Sequence, residues 1–325
     1  MGLFNMRYVL AAMIGAGFLA ACSGETPELA PVEEVAEEQQ STPDTIVAVD
    51  PAEENVFDPK TAFPHWYAPT APFRVMGNLH YVGSEGLAVW FIPTDEGHIV
   101  IDGGVPETAA HVMAGIRALG YDPADIAILL NTHAHFDHSG GLAELKAISG
   151  AQMMASEGDR SALEGGFYLG SEEESVLNAP PVSVDHILAD GETVSHGGVT
   201  LRANLTPGHS RGCTSWTFTL EEGGAAYEAL IFCSASVAAN RLIDPPQYEG
   251  IVEDYKTTFA RIADWTPDVF LANHSEFFDM KTKRAALEAG DPLAFVERTR
   301  FPAFAKRMQG AFEKALAEQT GETAD

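Results

Sequence analysis

The feature that most constrains this chain is a junction. An apolar run, Ile126 to Leu130, leads without a break into Asn131-Thr132-His133-Ala134-His135-Phe136-Asp137-His138. A continuous apolar run of that length, closed by polar residues, predicts a strand buried on both faces. Four good metal ligands in six positions just past its carboxyl end serve no packing purpose. A loop leaving a strand can aim His133 and His135 at one ion while Asp137 and His138 turn towards a second, about 3.5–4 Å away. Imidazole and carboxylate together suit a borderline cation such as zinc.

Around this junction, strand-like and helix-like segments interleave. Leu79–Val82, Leu87–Ile92 and His98–Ile101 read as strands separated by glycine and acidic turns. Glu107–Leu119 has helical spacing and stops at Gly120. A second set of strands follows at Gln152–Ala155, His186–Ala189, Val199–Leu205, Thr214–Leu220 and Ala229–Cys233. Val252–Trp265 and Asp291–Glu318 read as helices flanking a last strand, Val269–Ala272. With no repeat and no internal linker, residues 63–325 read as one α/β domain.

The segment before it has a different character. Arg7 and the apolar run Tyr8–Ala21 read as an export signal, residues 1–21, too short to span a bilayer. The run closes on Leu19-Ala20-Ala21-Cys22, which resembles a bacterial lipobox, and an ordinary signal peptide is the alternative. Residues 22–62, rich in Glu, Pro and Ala, read as an acidic flexible tether. The expectation is therefore an exported, periplasmic protein touching the membrane only through a lipid on Cys22. The net charge of −28 repels phosphate backbones, so nucleic acid is not expected as a partner. With Cys22 lipidated, Cys213 and Cys233 remain, either as a disulfide or as two buried thiols.

The cluster is similar to His-x-His-x-Asp-His, the signature of the metallo-β-lactamase superfamily. Asp102-Gly103-Gly104, Asp190-Gly191, Thr206-Pro207-Gly208-His209 and His274 agree with it. The resemblance runs from about Pro72 to Lys283. It implies a four-layer αββα sandwich with the site at the mouth between two β-sheets. Position by position, it implies His133, His135 and His209 as ligands of a first Zn2+ ion, and Asp137, His138 and His274 as ligands of a second. The other six histidines, His65, His80, His98, His111, His186 and His196, fit no motif.

Glyoxalase-type and nuclease members carry a bridging aspartate at the end of the strand after the third histidine. Here that strand ends Ile231-Phe232-Cys233-Ser234-Ala235-Ser236, without a carboxylate. Pro72-Phe73-Arg74, Gly77-Asn78, Gly86-Leu87-Ala88 and the stretch from Glu253-Asp254-Tyr255 to Ala272-Asn273-His274 resemble subclass B3 instead. That resemblance implies zinc-dependent hydrolysis of the amide bond of a small-molecule β-lactam. Asp137 would orient the attacking water. Asn240 would be an oxyanion contact or a loop-capping amide, and Ser215 or Ser210 would hold the substrate carboxylate. Many members have serine at the position of Cys213, and a branch of the subclass pairs cysteines at this separation, which implies a Cys213–Cys233 bond. Asp102 and Asp190 are expected behind the ligating histidines, or as turn formers before glycine. Two other readings use the same fold: a periplasmic dizinc lactonase or other ester hydrolase, and a non-catalytic lipoprotein binding module.

Overall fold

Short apolar runs between glycine-rich turns build the first sheet. Phe73–Met76 (β1), Leu79–Tyr81 (β2), Trp90–Ile92 (β3), His98–Ile101 (β4), Ile126–Leu130 (β5), Gln152–Ser156 (β6) and His186–Leu188 (β7) lie side by side in sequence order. β1 to β4 are antiparallel and β4 to β7 parallel. Parallel neighbours need crossover connections. After two short helices, Pro59–Ala62 (α1) and Pro64–Tyr67 (α2), those crossovers carry Ala109–Ala118 (α3), Phe136–Ser139 (α4), Leu142–Ser149 (α5) and Glu157–Gly165 (α6). The second sheet holds Thr193–His196 (β8), Val199–Leu205 (β9), Thr214–Glu222 (β10), Ala225–Phe232 (β11) and Val269–Ala272 (β12), in the order β12-β11-β10-β9-β8. Ile251–Ile262 (α7) connects the parallel pair β11 and β12, and Met280–Glu288 (α8) and Arg300–Thr320 (α9) follow. This computed structural model describes residues 57–321, so the expected signal peptide, Cys22 and most of the expected tether lie outside the described residues.

The side-chain alternation explains the layers. Ile99, Ile101, Ile128 and Leu130 join Trp216, Phe218 and Leu230 in one core shared by both sheets. Val100 and Leu129 fall in a second core with Val112, Ile116, Leu142 and Leu145 of α3 and α5. A strand buried on both faces must be apolar throughout, which is why Ile126–Leu130 has no polar residue. On the second sheet, Phe301 and Phe304 of α9 pack on Phe232 and Phe270, with ring centroids 5.1–6.0 Å apart. Each fully buried side chain of this size contributes roughly 1.5–3 kcal/mol relative to exposure. The result is the expected αββα sandwich.

Two departures from the sequence expectation bear on the site. The strand expected over Leu87–Ile92 begins only at Trp90, because Leu87 bridges to His274 and the Ala88 N–H donates to the Asn273 carbonyl. That pairing draws the loop after β12 against the first sheet. The helix expected from Asp291 starts at Arg300 instead, since Val296 bridges to Val269 and the Glu297 N–H donates to Asp268, an edge contact on β12. Cys213, just before β10, and Cys233, just after β11, form a disulfide with Cα atoms 5.8 Å apart.

Candidate metal centre

Three strand ends deliver the donors. The loop after β5 carries His133 and His135, and its continuation into α4 carries Asp137 and His138. The loop after β9 carries His209, and the loop after β12 carries His274. All six residues are at most 8% exposed. Asp137 Oδ2, His138 Nε2 and His274 Nε2 lie 3.1, 3.1 and 3.5 Å from one another. A tetrahedral zinc with bonds of 2.0–2.1 Å holds its ligand atoms about 3.3 Å apart, so these donors fit one ion. On the other side, His133, His135 and His209 each offer an atom within 4.8 Å of the other two.

The outer hydrogen bonds of these rings fit donors that face a cation. The Thr132 hydroxyl donates to Asp102 Oδ2 at 2.9 Å, which leaves its oxygen to accept from His133 Nδ1 at 3.1 Å. His209 Nδ1 donates to the Ser236 carbonyl at 2.7 Å. With both protons on Nδ1, the two Nε2 lone pairs meet at 3.1 Å. Two lone pairs at that distance repel unless a positive centre lies between them. Burial, with the neighbouring histidines, holds His133 and His135 well below the ordinary imidazole range. Burial likewise brings His209 down to about 4 and, with His138, His274 to about 3. Burial works against the charge on Asp137, but His138, His274 and His135 outweigh it and keep the carboxylate ionised. For His138, burial is outweighed by Asp137 and Asp102, and its basicity is raised.

Asp102 stands behind this group. It is fully buried in the left-handed region (φ 66°), and accepts from the Thr132 N–H at 2.6 Å. Its Oδ2 lies 3.9 Å from His138 Nδ1, and burial pushes its carboxyl up to about 6. Asp190 is elsewhere: it accepts from the Leu205 N–H and from Arg261, and so serves the turn.

The three residues expected at the substrate are placed as follows. Ser215 is fully buried, its hydroxyl lying between Thr206 Oγ1 and the Cys233 N–H, so it has no face for a substrate. The Ser210 hydroxyl donates to Asp159 Oδ2 at 3.1 Å. Asn240 fills the loop-capping role: its Nδ2 donates to the His209 carbonyl and its Oδ1 accepts from Tyr168 Oη, both at 2.9 Å.

The residues that sequence reasoning missed hold the donors in place. Asp159, on α6, accepts from the Ala134 N–H between His133 and His135, from Ser210 and from the Gly212 N–H beyond His209. A Cβ on Gly212 would collide with the Asp159 backbone and the Ser156 hydroxyl, so glycine is required for this approach. Tyr168 stacks on His135 with centroids 4.0 Å apart. Trp66 of α2 lies 5.4 Å from the His274 ring and belongs to an apolar cluster with Leu87, Val105 and Phe136. No local signal separates Asp159 from its charged neighbours Glu157 and Arg160.

A fold of two facing sheets with five histidines and one aspartate at their mouth defines a metal-dependent hydrolase class. The sequence model of the Metallo-beta-lactamase superfamily matches residues 85–222. Among solved structures, the chain is similar to BJP-1, a subclass B3 metallo-beta-lactamase of Bradyrhizobium japonicum, with 43% identity, 80% of this chain and 98% of that one covered, and a TM-score of 0.78. Among curated proteins, it is 30% identical over 128 residues to a hydroxyacylglutathione hydrolase of Rhodospirillum rubrum, spanning 39% of each chain. It is 26% identical over 189 residues to an N-acyl homoserine lactonase of Bacillus cereus, covering 50% of this chain and 70% of the lactonase. The chain belongs to the metallo-β-lactamase superfamily, and its structural neighbours are subclass B3 metallo-β-lactamases.

Proposed function

We propose that this chain hydrolyses the amide bond of β-lactams with two zinc ions, the first held by His133, His135 and His209 and the second by Asp137, His138 and His274. The observation that carries this reading is the donor set itself. The segment after β11, where glyoxalase-type relatives place a bridging aspartate, runs Cys233-Ser234-Ala235-Ser236 without a carboxylate, and Cys233 is tied to Cys213. Asp137 is thus the only carboxylate among the donors, the pattern expected of subclass B3, and the 43% identity to BJP-1 supports it.

Bound zinc supplies Lewis acidity and lowers the pKa of water to about 7, so no separate protein base is needed. The ionised Asp137 accepts a hydrogen bond from the attacking water and orients it towards the lactam carbonyl. Water adds across the C–N bond, its oxygen to the carbonyl carbon and a proton to the ring nitrogen. Asp159 and Asn240 keep the His133–His135 and His209 loops from drifting apart. With Ser215 buried, we assign the substrate carboxylate to Arg211, an exposed cation two residues past His209 that lines a small pocket with His135, Tyr168, His209 and Ser210.

The lactonase reading uses the same donors and draws on the similarity to the Bacillus cereus lactonase. Purified protein assayed with nitrocefin, a carbapenem and an N-acyl homoserine lactone, with chelator and then added zinc, separates the two. Chelator-sensitive turnover of the lactams is expected; turnover of the lactone alone would transfer the site to the second reading. The proposal also includes export and tethering through Cys22, supported by Arg7, the apolar run Tyr8–Ala21 and Leu19-Ala20-Ala21-Cys22. Cys22→Ala should release the protein from membranes, and a wild-type protein found wholly soluble would refute the tether.

A further inference from the structure

The donor histidines differ in how their second ring nitrogen is held. In the first group, His209 Nδ1 donates to the Ser236 carbonyl at 2.7 Å and His133 Nδ1 meets Thr132 Oγ1 at 3.1 Å. In the second group, His138 Nδ1 and His274 Nδ1 are buried without a hydrogen-bond partner. Each faces a carboxylate just out of reach: Asp102 Oδ2 at 3.9 Å and Glu276 Oε1 at 3.8 Å.

His274 is the more informative of the two. Its Nε2 is directed at Asp137 and His138, so a ligating ring must carry its proton on Nδ1. A metal-bound imidazole almost always passes that proton to an acceptor, which fixes the ring and raises its basicity as a ligand. The adjacent Ser275 is turned away, its hydroxyl donating to the Glu85 carbonyl at 2.7 Å, and His274 Nδ1 makes no hydrogen bond to it. Glu276 can: its side chain is 48% exposed, hence free to rotate, and closing by less than 1 Å completes the hydrogen bond.

We infer that Glu276 is a positioning residue for the second zinc, acting through the Nδ1 proton of His274. This rests on the two-zinc reading above. Two rings of the first group, His133 and His209, are hydrogen-bonded before metal arrives, whereas His138 and His274 complete their outer hydrogen bonds on closing around the ion. The first site therefore fills before the second, and the affinity of the second depends on Glu276.

The test is zinc titration of metal-free wild type, Glu276→Ala and Glu276→Gln against a chromophoric chelator, with visible spectra of the cobalt-substituted proteins as a second readout. Glu276→Ala should weaken the second site about 10–100-fold and alter its cobalt bands, with the first site unchanged. Glu276→Gln keeps an acceptor oxygen and should stay within a few-fold of wild type. An unchanged first site also shows that the variants are folded. Second-site affinity in Glu276→Ala equal to wild type overturns the role of Glu276 alone. A wild-type chain that takes up only one ion overturns the two-zinc reading and this inference with it.

Discussion

Asp159 is not a donor, yet it touches both loops that deliver the first group of donors. Its two oxygens receive three hydrogen bonds, and burial pushes its carboxyl up to about 6. Asparagine at this position presents one acceptor and one donor, leaving Gly212 N–H, or Ala134 N–H and Ser210, facing an N–H. A buried donor left unpaired costs about 1–3 kcal/mol. Asp159→Asn should lower stability by that amount in urea titrations and weaken the first metal site more than the second; equal affinities at both sites with unchanged stability would refute the bracing role. Arg211 carries a separate expectation. Arg211→Ala should raise KM for carboxylate-bearing substrates about tenfold, equivalent to ~1.4 kcal/mol, with kcat unchanged. Steady-state kinetics that leave KM unmoved would remove Arg211 from substrate binding. His133, His135, Asp137 and His138 are legible in the sequence because their spacing is local and chemically specific, whereas His209 and His274 follow only from the family resemblance. Asp159, Tyr168 and Glu276 are not legible, because their roles come from contacts made across the fold.

Among elements, β4, β5, β9 and β12 have the bounds that their apolar patterns predict. Each is a run whose burial its own residues dictate. β8 and α8 escaped notice, since β8 is a short edge strand with an exposed face and α8 has only two buried residues. The disulfide joins the entries and exits of β10 and β11, closing a loop with a sequence separation of 20. In the chain-entropy model such a loop contributes about 3 kcal/mol. Both cysteines are fully buried. Reductant alone should therefore leave the native protein without reactive thiols, whereas reductant with denaturant should expose them. Cys213→Ala/Cys233→Ala should melt roughly 6–12 °C lower, at about 2–4 °C per kcal/mol for a domain of this size. Thiol titration of the unfolded, non-reduced protein that finds two reactive groups in this pair would contradict the bond.

At the scale of the whole molecule, the donors come from both sheets: four follow β5 of the first, while His209 and His274 follow β9 and β12 of the second. Bound metal therefore clamps the sandwich at its mouth. With free zinc at 100 times Kd, each ion adds about 2.7 kcal/mol, so chelation should lower Tm by roughly 10–20 °C and zinc should restore it. The metal-free protein should then show the cost of its own donors as pH falls. His209 and His274 have folded values of about 4 and 3 against an ordinary 6.5, and His133 and His135 are also depressed. Depressed histidines contribute stability that is full above 6.5 and is lost as pH falls towards the folded values. For His209 alone that is about 3 kcal/mol. Asp102, Asp159 and His138 are raised and run the other way, gaining stability on acidification. His80 and His98 are also lowered and Asp254 and Glu276 also raised, so six depressed histidines oppose five raised groups, and His209 and His274 are displaced further than Asp102 or Asp159. Between pH 7 and 5 the net effect is destabilising. Calorimetry of the chelated protein across that window should show Tm falling; a Tm that rises on acidification would mean that the histidines are not held as neutral donors in the metal-free fold.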